Sequence, residues 1–262
     1  MTILEKIVAC KKKEIESCKE LIPLSRLKDQ DYYRRNANNM KESLLDPSRT
    51  GIIAEFKRKS PSKGIINDKA MVEKVTAGYT KKGASALSVL TDFNFFGGSA
   101  DDLLKARHVN PVPILRKEFI IDTYQVHEAK AIGADAILLI ASILTKKEAK
   151  ELAMLAHDLG MQVLMEFHEE QELDLLNDTI DMAGINNRNL KTFEVSLQHS
   201  ADLAKKIPGN FLKVSESGIS SPDDILFLRK HGFQGFLIGE NFMKTNHPEE
   251  AFARFVNTLK KS

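Results

Sequence analysis

Residues 131–140 read AIGADAILLI: the end of a helical pattern, a glycine, then a short apolar run. The same order recurs as KKGASALSVL at 81–90, DLGMQVLMEF at 158–167 and KHGFQGFLIG at 230–239. Gly83, Gly133, Gly160 and Gly232 each stand where a helix C-terminus needs a left-handed residue before the chain enters a strand. Four further apolar runs, Ile52–Phe56, Pro113–Leu115, Met182–Ile185 and Phe211–Val214, bring the candidate strands to eight. They are nearly continuous in apolar character, as parallel strands buried on both faces are. Amphipathic segments separate or follow them at 68–82, 99–107, 123–132, 146–159, 169–177, 197–207, 221–231 and 248–261. Eight alternations predict an α/β protein with a closed (βα)₈ barrel, ahead of an open doubly wound sheet.

The bulk numbers agree. A barrel of this kind uses about 250 residues as one unit, and this chain has 262, so one domain over 1–262 is expected. Residues 1–47 form a helical extension that lies over one end of the barrel. Thirty-eight basic and thirty-six acidic side chains leave a net charge of +2, too little for a nucleic-acid or anionic-membrane footprint. Charge at Glu5 and Lys6 interrupts any signal-peptide pattern, and the most apolar stretch, 136–144, is too short to span a bilayer. Cys10 and Cys18 match neither a zinc pattern nor a disulfide framework. These features predict a cytoplasmic protein with reduced thiols and no membrane partner.

Barrel enzymes carry their chemistry at the C-terminal ends of the strands. There the first strand ends in Glu55-Phe56-Lys57, whose period of two puts both charges on one side. The third ends in Arg116-Lys117-Glu118, the fifth in Glu166, the sixth in Asn186-Asn187-Arg188 and the seventh in Ser215-Glu216-Ser217-Gly218. Lys57, Lys117 and Arg188 interleaved with Glu55, Glu166 and Glu216 offer anion recognition and paired acid/base groups. Any one of them could be a buried salt bridge, but six at corresponding strand ends argue for a site. Gly218 and Gly239 fall in the seventh and eighth loops, where barrels bind phosphate. The loop 58–64 reads as basic, rich in hydroxyls and flexible at Gly64. Phe93, Phe95 and Phe96 lie in a polar, Gly-rich loop and suggest a wall for an aromatic ligand, with folding over the rim nearly as good a reading. The histidines show no metal spacing, and His127 and His157 fall in helical segments where solvent exposure is expected. With no dinucleotide fingerprint, P-loop or nucleophile elbow, no metal or cofactor is expected.

Seven motifs, IIAEFKRKSPSKG (52–64), VLTDFNFFGGS (89–99), ILRKEFIID (114–122), VLMEFH (163–168), GINNRNLKTF (184–193), VSESGI (214–219) and FLIGENFM (236–243), closely resemble indole-3-glycerol-phosphate synthase. They run in order through seven of eight strand-loop units, and E-x-K-x-x-S-P-S with N-x-R-[ND]-L is highly specific. The resemblance implies a carboxy-lyase of tryptophan biosynthesis. It would convert the small anionic sugar phosphate 1-(2-carboxyphenylamino)-1-deoxyribulose 5-phosphate to indole-3-glycerol phosphate, carbon dioxide and water. It also implies roles. Lys117 is the general acid for ring closure. Glu166 serves the later dehydration with Glu55 nearby, and Lys57 holds the anion and is a second candidate donor. Asn186, Arg188, Glu216, Ser217 and Phe96 contact substrate. Ser60, Gly218, Gly239 and Glu240 take the phosphate, Glu240 through its backbone N–H. Glu118, Thr123 and Ser196 depart from the family's usual Asp, Pro and Asp, at positions without a presumed catalytic role. A homodimer and association with other enzymes of the same pathway both stay open. The competing readings are a Schiff-base aldolase-type or other phosphosugar barrel enzyme, and a non-catalytic phosphorylated-ligand binding protein.

Overall fold

A computed structural model describes residues 2–189, 192 and 194–261. Eight strands close a parallel barrel: β1 (Ile52–Phe56), β2 (Ala86–Leu90), β3 (Ile114–Lys117), β4 (Ala136–Ile140), β5 (Gln162–Phe167), β6 (Met182–Asn186), β7 (Leu212–Glu216) and β8 (Phe233–Ile238). The ring runs in chain order, with β8 returning to β1 through the pair Ile53 and Leu237. The four predicted joints hold: Gly83, Gly133, Gly160 and Gly232 all have φ between 73° and 96°.

Alternation along each strand builds two cores. Ile53, Ala86, Leu115, Ala136, Leu138, Leu164, Met182, Leu212, Val214 and Leu237 point inward and fill the barrel. Ile52, Ala54, Phe56, Leu87, Val89, Ile137, Leu139, Val163 and Met165 point outward onto the helices. The helices are α1 (Ile3–Leu21), α2 (Leu24–Lys28), α3 (Met40–Leu45), α4 (Val72–Lys81), α5 (Ala100–Val109), α6 (Thr123–Ala131), α7 (Lys146–Asp158), α8 (Leu197–Ala204), α9 (Pro222–Lys230), α10 (Glu240–Met243) and α11 (Pro248–Leu259). Several start on reciprocal caps, such as Thr145 with Glu148 and Ser221 with Asp224, which satisfy the free N–H groups of the first turn.

Four expectations are corrected. The segment 169–177 forms a 3₁₀ helix, Glu170–Leu175, because Asn177 turns its side chain onto the backbone and hydroxyl of Thr179 and ends the helical path. The loop 58–64 is partly ordered as a small hairpin, Lys59–Ser60 against Gly64–Ile65, with Gly64 supplying a left-handed turn residue. His127 is not simply exposed: its ring stacks on Tyr33 and its Nδ1 lies 2.6 Å from the Tyr33 hydroxyl, whereas His157 is exposed as expected. The N-terminal extension covers both barrel ends rather than one. α1 crosses the C-terminal mouth, where Ile7 joins the inner core, and α3 plugs the opposite end with Met40 and Leu44. Between them the chain descends along α6, with Leu27 against Tyr124 and Ala131.

Asp135 fastens this extension to the floor. Its carboxylate accepts from Arg35, from Arg107, from the backbone of Asn38 and from the backbone of Ile114, with no exposure to solvent. Asp135→Ala would leave two guanidinium groups facing each other without their counter-charge. It is expected to cost about 3–5 kcal/mol in a denaturant titration. A loss under about 1 kcal/mol would show that the cluster contributes little.

Candidate active site

The inward-facing columns that fill the barrel end in polar side chains at the C-terminal mouth. Register sets them level: Leu90 lies beside Lys117, Ile140 beside Glu166, Glu166 beside Gly184, Asn186 beside Glu216, and Glu55 beside Ser88. They surround a cavity of about 510 Å³. Every residue anticipated as a site residue lines it: Glu55, Lys57, Ser60, Phe96, Lys117, Glu166, Asn186, Arg188, Glu216, Ser217, Gly218, Gly239 and Glu240. Leu190, Lys191 and Phe193 of the fifth motif lie outside the described residues.

Lys117 is the hub. Its Nζ sits 2.9 Å from Glu166 Oε2 and 2.6 Å from Glu216 Oε2, while Lys57 Nζ pairs with Glu55 Oε1 at 2.7 Å. Burial disfavours the Lys117 ammonium, but Glu166, Glu216 and Glu55 outweigh it and hold the group protonated well above the ordinary lysine range. The two carboxylates beside it diverge. Burial raises both, but Glu166 is pulled well below the usual range by Lys117, His168 and Asn186. At Glu216 burial and the neighbouring Glu166 outweigh Lys117, and the carboxyl is pushed up to about 7. Its second oxygen is buried without a hydrogen-bond partner among the described residues. Room for that oxygen comes from Gly184, where a Cβ would stand 2.3 Å from Glu216 Oε1.

The Glu216 carboxyl is therefore neutral below pH 7 and anionic above it. An anionic substrate should enter more readily when it is neutral, so kcat/KM is expected to rise as pH falls through about 7. That inflection should vanish in Glu216→Gln, and its persistence there would assign the titration to another group.

Three loops close one end of the cavity. Ser60, Pro61, Ser62 and Lys63 come from the hairpin, Ser217 to Ser220 follow β7, and Gly239 to Asn241 follow β8. Ser217 and Gly218 both have left-handed backbone, at φ 67° and 69°, and Ser217 is the sole non-glycine residue in that region among the described residues. Such strain in a side-chain-bearing residue concentrates at ligand loops. The Glu240 carboxylate is turned aside onto Arg188 Nη2 at 3.3 Å, and Lys63 lies 4.0 Å away.

The apolar wall is split among the phenylalanines. Phe96 lines the cavity and packs on Phe119 with ring centroids 5.9 Å apart, Phe95 packs on the inner core, and Phe93 points to solvent. Ile3, Leu4 and Ile7 of α1 complete the wall and were not anticipated. Their stripe at helical spacing marks a buried face but does not say what it covers. Lys11 anchors that helix, with its Nζ 2.9 Å from Asp92 and 3.1 Å from Glu118. His168 was also missed as a site residue. Its signal was present, because Glu166-Phe167-His168 repeats the alternation of Glu55-Phe56-Lys57.

Comparison with known proteins agrees with this geometry. The family model for indole-3-glycerol phosphate synthase matches residues 4–255. An indole-3-glycerol phosphate synthase of Bacteroides thetaiotaomicron is 48% identical over 98% of both chains, and one of Bordetella pertussis is 42% identical over 97% of this chain and 98% of its own. Among solved structures, a variant tryptophan synthase alpha-subunit from Pyrococcus furiosus superposes with a TM-score of 0.61 at 17% identity. That alignment covers 82% of this chain and 99% of the other, and it speaks for the barrel alone.

Proposed function

The chain belongs to the indole-3-glycerol phosphate synthase family, carboxy-lyases of tryptophan biosynthesis acting on 1-(2-carboxyphenylamino)-1-deoxyribulose 5-phosphate, and on that premise we propose how its side chains divide the reaction. Lys117 donates the proton. As the carboxyl-bearing ring carbon attacks the sugar carbonyl, charge builds on the carbonyl oxygen, and a developing alkoxide is a stronger base than an amine. Even a lysine held firmly protonated then releases its proton, and the oxygen becomes a hydroxyl. The bond to the carboxylate breaks next. Its electron pair returns to the ring, restoring aromaticity, and carbon dioxide leaves.

Giving up the proton changes Glu166. The carboxylate loses the cation 2.9 Å away that had depressed its basicity and becomes a better base for the dehydration, in which the new hydroxyl departs as water and a proton leaves the five-membered ring. Lys57, paired with Glu55, is the nearby acid for the departing hydroxyl. Asn186 Nδ2 donates to Glu166 at 3.1 Å, and Asn186 Oδ1 accepts the Arg188 backbone N–H at 3.0 Å. Arg188, Lys63, Ser60 and the loops at Gly218 and Gly239 take the phosphate, with Glu240 contributing its backbone N–H. Phe96 and Glu216 face the anthranilate ring, and Ser217 its hydroxyl side.

The observation that carries this reading is Lys117 Nζ clamped between two carboxylates inside the mouth. It also weighs against a Schiff-base mechanism, which needs a neutral amine. The test is to supply the carboxyphenylamino substrate to purified protein, follow indole fluorescence, and add borohydride in parallel. Indole formation without a trapped adduct supports the reading, whereas an adduct on Lys117 supports an aldolase. The same reading treats 1–262 as one domain with 1–47 as its extension, needs no cofactor, and sets the enzyme in the cytoplasm, where free Cys10 and Cys18 are stable. No helix among the described residues is long and apolar enough to cross a membrane.

A further inference from the structure

We propose that His168 is a positioning residue: its imidazolium, braced by Glu172, holds Glu166 as a carboxylate of fixed orientation while Lys117 delivers its proton to the substrate. This rests on the roles given above to Lys117 and Glu166.

His168 follows Glu166 by two residues, one past the end of β5, and its ring stands beside the Glu166 carboxylate. Its Nε2 lies 3.1 Å from Glu166 Oε1, and its Nδ1 lies 3.8 Å from Glu172 Oε2 in the 3₁₀ helix Glu170–Leu175. Each oxygen of Glu166 thus has its own holder. Lys117 holds Oε2, while His168 and Asn186 Nδ2 share Oε1. Glu172 is itself fixed, accepting the backbone N–H of His168 at 2.5 Å and of Glu169 at 3.2 Å. The backbone carbonyl of His168 receives His199 Nε2 from α8 at 2.9 Å.

Both ring nitrogens are shut off from solvent, and neither lines up as a directed hydrogen bond. The contact is therefore one of charge with charge. A neutral ring between two carboxylates would leave two buried polar nitrogens uncompensated, which costs more than keeping the cation. Burial by itself would push the imidazole down, but Glu166 and Glu172 carry it up to about 10. The consequence for the reaction is directional. Glu166 lies as close to Lys117 as a substrate oxygen would, and without His168 it competes for the same proton. With His168 charged beside it, Glu166 stays ionised and the proton goes to the substrate.

The test is the pH profile of kcat in His168→Leu, His168→Gln and Glu172→Gln, with Glu166→Gln measured alongside. Loss of the imidazolium raises the Glu166 pKa, so the acid limb should move up by about one pH unit or more. At neutral pH, above that limb, kcat should fall about ten-fold through the lost orientation of Glu166, with KM little changed. His168→Gln fills the space and supplies an N–H; a purely structural role would be rescued by it, whereas the displaced limb should persist. Glu172→Gln should shift the limb the same way by less, and it reads the effect if His168→Leu does not fold. A limb at its original position in folded His168→Gln and Glu172→Gln overturns the proposal. If Glu166→Gln is inactive at the same time, His168 alone loses its role. If Glu166→Gln turns over normally, the assignment of Glu166 falls and this inference with it.

Discussion

Lys117→Ala is expected to lower kcat by about 10³-fold or more, within the range that removal of a positioned general acid produces. The substitution takes away an ammonium that touches both Glu166 and Glu216. Those carboxylates then face each other in a buried site, and Glu216, already pushed up to about 7, takes a proton. That response keeps the barrel folded, since the inner core of Leu115, Leu138, Leu164, Val214 and Leu237 lies elsewhere along the strands. Unfolding should remain cooperative. Lys117→Arg is the sharper control: it restores the positive charge, but the larger planar guanidinium fork does not place a transferable proton where the lysine Nζ stands. Turnover should stay low in Lys117→Arg. Recovery there to near the unmodified rate would mean that Lys117 acts as a point charge and not as the acid.

Glu166→Gln is expected to lower kcat by about 10²–10³-fold, with KM changed only a few-fold. Glutamine preserves the shape and can still accept from Asn186, so the site stays assembled. What disappears is a base. On the proposed roles, ring closure and decarboxylation draw on Lys117 and should survive, so the variant should stall at the hydroxylated intermediate that precedes water loss. Lys117 also loses one of the anions that hold its proton, which makes it a slightly stronger acid and favours the first step. A Glu166→Gln enzyme that retains most of its kcat would remove Glu166 from the mechanism.

The barrel was legible because its signals are local. Gly83, Gly133, Gly160 and Gly232 are required by backbone geometry alone, and the strands need only short apolar runs. The mouth was legible by the same route, since an alternating strand that ends in Glu55-Phe56-Lys57 must aim both charges one way. Period two should equally have disclosed His168, but a histidine after an apolar run is as often packed as functional, and Glu172 comes near it only through the turn into the 3₁₀ helix. The helix α1 shows the limit of local reading. An apolar stripe predicts that Ile3, Leu4 and Ile7 are covered, but it does not say that they cap the inner core at the barrel mouth, or that Asp92 and Glu118, which hold Lys11 of the same helix, come from two loops distant in the chain and meet only once the barrel closes. The same holds for His127, whose partner Tyr33 lies 94 residues away.

Lys117 and Glu166 are proposed to divide the reaction between them, and measuring carbon dioxide and indole separately in a single turnover tests that division most directly. Glu166→Gln should release carbon dioxide from a carboxyl-labelled substrate while indole fluorescence fails to rise, and Lys117→Ala should yield neither. Indole formed by Lys117→Ala, or no carbon dioxide from Glu166→Gln, would contradict the assignment of the two steps.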